Sequence, residues 1–144
     1  MPGKTSEQEK NSIENDAKRQ TAEKRYQAAE KNLRDKEAEL KHAEAELKAN
    51  QEKQKEMQDG RTAASKQRRE GKIDDKQHSD AMRDYNQKEG KLIEEEKGLQ
   101  SKRDSAETRR NQAQKERDAA KKEMEQQKSQ EQSQAQNQEK ERTL

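Results

Sequence analysis

Glu70-Gly71-Lys72-Ile73-Asp74-Asp75 lies midway along a chain of 144 residues, and apolar residues recur at every seventh position on either side of it. Before it run Tyr26, Leu33, Leu40 and Leu47; after it run Tyr85, Leu92, Leu99, Ala106, Ala113 and Ala120. Seven is the period that keeps a residue on one side of a helix wound against a partner helix. The pairs Tyr26/Ala120, Leu33/Ala113, Leu40/Ala106 and Leu47/Leu99 have positions that sum to 146. A constant sum folds the chain back on itself about position 73, inside the quoted stretch. The pattern predicts an all-α fold, a long antiparallel two-helix coiled-coil hairpin with its turn near residues 71–74.

Local signals set the expected boundaries. Ser6 and Glu9 have capping-box spacing, so residues 1–5 read as an N-terminal arm and residues 6–70 as the first helix. Gly71 can take the left-handed conformation that ends a helix. Asp74 and Gln77 form a second capping box, which opens a second helix over residues 75–125. Pairs such as Glu30/Arg34, Glu37/Lys41 and Glu44/Lys48 have the favourable i,i+4 order. Gly60 marks an expected soft spot in the first helix, because a glycine there costs about 1 kcal/mol relative to alanine. Residues 126–144 are rich in Gln and Ser and carry no apolar heptad, so they read as a frayed or disordered tail.

The composition fits a thin coiled coil and excludes a large core. Charged residues make up 46% of the chain and hydrophobic ones 22%, less than half the apolar share of a globular domain. Leucines facing alanines let two helices approach closely while filling the space between them. Few large side chains then oppose the entropy cost of ordering two long helices. That imbalance favours docking onto a protein partner, with homodimerisation as the alternative. Charges of both signs are interspersed to a net +2, which disfavours nucleic acid as the partner.

Motifs for chemistry are absent or incomplete. Gly3-Lys4-Thr5 resembles the end of a phosphate loop but has neither the upstream glycine nor the preceding strand. There is no cysteine. The register sets His42 opposite Asp104 and His78 opposite Arg68, too far apart to share a metal. The many carboxylates lack a pocket that would shift their pKa values. The chain reads as no enzyme and needs no cofactor. No apolar run is long enough for a signal peptide or a transmembrane segment. The expected location is therefore cytoplasmic, or outside the cell after release without a cleaved signal.

One local charge excess stands out. Arg61, Lys66, Arg68, Arg69 and Lys72 face a single acid, Glu70, over residues 61–72. Placed at the tip of the hairpin, these five cations are the candidate contact surface for a partner. Aromatic residues that would stack on bases are missing nearby, which argues against single-stranded nucleic acid.

Lys24-Arg25-Tyr26-Gln27-Ala28-Ala29-Glu30-Lys31-Asn32-Leu33, with Lys102-Arg103-Asp104-Ser105-Ala106-Glu107 on the return arm, resembles the central helical hairpin of nuclease colicins. The likeness covers roughly residues 18–127. It implies an isolated hairpin domain whose tip binds an outer-membrane receptor. The residues taken by themselves favour a broader class: a coiled-coil adaptor, chaperone or assembly scaffold that works by binding protein. A third reading, a solvated stress-protective or disordered protein, draws on the extreme hydrophilicity and conflicts with the matched heptads.

Overall fold

The computed structural model describes the backbone of residues 2–143 and the side chains of residues 9–137. Two helices account for nearly all of it: α1, Pro2–Arg69, and α2, Asp75–Thr143, packed against each other as a helical hairpin. Two compact units divide the hairpin. One comprises Ala38–Thr108, the other Met1–Glu37 with Arg109–Leu144.

The Ala38–Thr108 unit holds Leu40, Ala43 and Ala106 as a buried apolar cluster, with Ala64 also buried. Leu47, Leu92, Leu99 and Tyr85 are half-buried. Leu40 meets Ala106, the pairing that the constant sum requires. The seam then turns polar. Asn50 is 3% exposed, and its Nδ2 donates to the carbonyl oxygen of Leu92 at 3.0 Å. Gln54 Nε2 donates to Asn50 Oδ1 at 2.7 Å and also to the Glu96 carboxylate. Arg61 Nη1 pairs with Glu89 at 2.6 Å. Gln54 and Arg61 thus reach Glu96 and Glu89, not the Leu92 and Tyr85 that lie opposite them by position. Every heptad has a second inward position, and on α2 it is occupied by Glu89, Glu96 and Arg103, all half-buried. Long stems lie along the seam while their charged ends reach its edge.

α1 runs through Gly60 without a break. A Cβ at this position would fall 2.5 Å from Cε1 and Cζ of Tyr85. The glycine therefore makes room for the tyrosine ring, and that contact accompanies the propensity cost. Gly90 and Gly98 have no such neighbour within 4 Å.

In the other unit, Ala22, Leu33, Ala113 and Ala120 are buried and Tyr26 is half-buried. Arg110 and Arg117 continue the charged second row. Arg117 reaches Glu30 at 3.8 Å, and Tyr26 donates to Glu30 at 2.7 Å. The expected tail is corrected here: α2 runs on through Gln126 to Thr143. Polar contacts replace the missing apolar heptad. Arg25 pairs with Glu123 at 3.0 Å, Arg19 with Glu131 at 3.5 Å, and Asn15 Nδ2 donates to Gln134. Gln, Glu, Lys and Ala are also good helix formers. The expected arm is corrected too, since α1 already begins at Pro2, where proline's fixed φ suits a first helical position. The Ser6/Glu9 capping box lies outside the described side chains.

Candidate functional site

The turn is built from two interlocking caps. Lys72 N–H donates to Gln67 C=O at 2.9 Å and Gly71 N–H to Arg68 C=O at 3.1 Å. Those two bonds, with Gly71 at φ 74°, make a Schellman motif that ends α1. On the other side Asp74 Oδ1 accepts the Gln77 N–H at 2.7 Å, and Gln77 Oε1 accepts the Asp74 N–H at 3.0 Å. This reciprocal capping box starts α2. Only residues 70–74 lie outside a helix among the described backbone.

The caps display the candidate cations unequally. Lys66 and Lys72 both approach Glu70, at 3.9 and 3.0 Å, and both remain exposed. Arg68 lies 3.9 Å from Asp75 and donates to His78 Nδ1 at 3.3 Å. Arg69 is exposed and has no ion pair among the described residues. Arg61 is not part of this group. Its side chain is 22% exposed and is held in the seam by Glu89, with Asn86 as a second partner at 3.3 Å. The turn also brings in Asp74 and Asp75. Residues 66–76 then carry five cations and three carboxylates, a net +2 instead of the +4 counted along residues 61–72.

His78 also sits 3.2 Å from Ser65 Oγ through Nε2. Arginine can only donate, so its bond to Nδ1 leaves the ring proton on Nε2. Nε2–H then donates to Ser65 and cannot take the serine proton. The pair is an end-of-helix contact and no activated nucleophile. His42 binds Glu46 at 2.6 Å instead of facing Asp104.

Shifted titrations elsewhere have local causes. A hydrogen bond from Lys102 holds the Glu46 carboxyl below its ordinary value, and His42 adds to the effect. Asp84 raises Lys88. The bond to Glu30 raises Tyr26, with desolvation second. For Glu46 and Lys88, bonded partners and not enclosure lead. Surface depressions are open and polar, such as the groove where Asn11, Asn15 and Asp16 face Glu131 and Gln134. Among the described residues no three His, Asp or Glu side chains form a group that could hold a metal, and no helix is long and apolar enough to cross a membrane.

No family model, no curated protein and no solved structure matches this chain.

Proposed function

We propose that the chain is a non-enzymatic helical-hairpin module that binds a protein partner, as an adaptor, chaperone or assembly scaffold. One observation carries this reading: the turn is fixed by caps on both sides while Lys66, Arg69 and Lys72 stay exposed on it. A fixed cationic end is preorganised for an acidic protein surface, so less ordering cost attends binding. The module acts in the cytoplasm, or outside the cell after release without a cleaved signal. The same capped, cationic tip supports a second reading, a receptor-binding hairpin like that of nuclease colicins.

A photo-crosslinker at Gln67, compared with one at exposed Lys53, tests the proposal in extracts of the source cell. The expected result is a discrete protein adduct from position 67 that weakens in the Lys66→Gln/Arg69→Gln/Lys72→Gln variant. Equal labelling from both positions would remove the tip as the contact surface. An adduct that fractionates with a bacterial outer membrane would select the receptor-binding reading.

A further inference from the structure

We infer that the turn is an endoproteolytic processing site for a protease that cuts after basic residues, and that the product is a two-chain hairpin. The chain holds 34 Lys and Arg residues, so residue type alone does not choose a site. Backbone conformation does. A protease binds its substrate extended, and a helical segment must first unwind. Residues 70–74 are the only described backbone outside a helix, and Arg68, Arg69 and Lys72 lie within or beside them, all exposed.

The opening that cleavage needs is local. Releasing Arg68 and Arg69 breaks the bonds from Glu70 to Lys66, from Gly71 to Arg68 and from Lys72 to Gln67, together with the last intrahelical bonds of α1. It also breaks the exposed contacts of Glu70 with Lys66 and Lys72 and of Arg68 with Asp75 and His78, which hold little against water. The capping box keeps α2 closed meanwhile. Opening α1 or α2 elsewhere in the Ala38–Thr108 unit would tear out Leu40, Asn50, the Arg61–Glu89 pair or the Lys102–Glu46 pair. In the cleavage, water adds across the Arg69–Glu70 peptide bond. Arg69 gains a carboxylate and Glu70 an ammonium group; a cut after Arg68 or Lys72 is equivalent.

Cutting there leaves the seam whole, because none of the contacts between α1 and α2 named above runs through residues 70–74. What is lost is the connection itself, which sets an effective concentration on the order of millimolar for the two halves. The inference does not depend on the tip being the contact surface.

Brief digestion of the full chain with trypsin, followed by intact-mass analysis and gel filtration at tens of micromolar, is the test. The first cut between residues 38 and 108 should fall after Arg68, Arg69 or Lys72, and the two fragments should co-elute with their helical signal kept. The Arg68→Gln/Arg69→Gln/Lys72→Gln variant changes exposed side chains only and should keep its helical signal. Its uncut lifetime in that span should rise by at least about tenfold, since Lys66 and Lys76 lie in helical turns and sites farther from the tip need seam contacts to open. A first cut elsewhere in the span, fragments that separate, or an unchanged lifetime for the variant would each overturn the inference.

Discussion

Within the Ala38–Thr108 unit, the layer at Leu40, Ala43 and Ala106 and the layer at Asn50, Gln54 and Glu96 do opposite jobs. The first removes apolar surface from water and is indifferent to register. A slip of seven residues would set Leu47 on Ala106, again a leucine on an alanine. The second is sensitive to register, because the same slip would move Gln54 from the Glu96 carboxylate to Arg103. Tyr85 beside Gly60 adds the same constraint, since the slip would bring Leu92 to the glycine instead. Apolar layers supply adhesion, and polar layers select the alignment.

The largest effect should come from charging the apolar layer. Leu40 is 9% exposed, and Leu40→Glu places a carboxylate against Ala106 with no facing cation in the cluster. Loss of most helical circular dichroism is expected at 25 °C. Leu40→Ala should cost about 2–4 kcal/mol in urea denaturation, a normal cost for a buried leucine whose site collapses only in part. If Leu40→Glu melts no earlier than the parent, this layer does not hold the helices together.

The polar layer should respond differently. Asn50→Leu removes the bonds to Leu92 and from Gln54 and adds apolar contact, while Gln54 keeps Glu96, so stability should change by less than about 1 kcal/mol. Alignment should suffer instead. In the parent, Leu40→Cys with Ala106→Cys should crosslink within one chain, and Leu47→Cys with Ala106→Cys should not. Adding Asn50→Leu, which takes away the Oδ1 that holds Gln54 toward Glu96, should make the second pair crosslink as well. A strong loss of stability with unchanged crosslinking would mean that Asn50 contributes adhesion and no register.

The sequence showed one of the two inward rows. Leucine, tyrosine and alanine at seven-residue spacing are visible as a stripe, which sufficed for the helical hairpin. The second α2 row of Glu89, Glu96 and Arg103 was not legible, because a charged residue reads as solvent-facing until its partner across the seam is known. The candidate contact surface suffered from the same blindness. Counting charge along residues 61–72 includes Arg61, which the seam occupies, and omits Asp74 and Asp75, the second of which lies 3.9 Å from Arg68. Residues beyond 126 offered no stripe at all. Their helix makes the contacts Arg19–Glu131 and Asn15–Gln134, between residues 112 and 119 positions apart, which no local pattern announces.

Glycine substitutions sharpen the contrast at smaller scale. Gly90→Ala and Gly98→Ala meet open space and should each stabilise the chain by about 1 kcal/mol through helix propensity. Gly60→Ala gains the same propensity but pushes against the Tyr85 ring, so its net effect should be near zero. With no tryptophan in the chain, tyrosine fluorescence can follow the displaced ring. An equal gain at all three sites would show that the Gly60–Tyr85 contact imposes no constraint.

The smallest expected effect is a pH dependence with different owners on its two sides. Glu46 titrates below the ordinary glutamate value of 4.5 because Lys102 bonds the charged form. A depressed carboxyl stabilises the fold above 4.5, and the contribution fades as pH falls through the depressed value. Tyr26 titrates above 10.0 because its neutral hydroxyl donates to Glu30. That contribution is full below 10.0 and fades as pH rises through the raised value. Both groups are solvent-accessible and screened, so each should move the thermal midpoint by no more than about a few degrees. Lys102→Gln should flatten the acid side. Tyr26→Phe keeps the ring in the seam and removes the hydroxyl, so it should flatten the alkaline side only, apart from the share owed to Lys88. Thermal melts of the parent and both variants across acid and alkaline buffers decide the matter. If Lys102→Gln left the acid side as steep as in the parent, the Glu46–Lys102 contact would contribute nothing through the titration of Glu46.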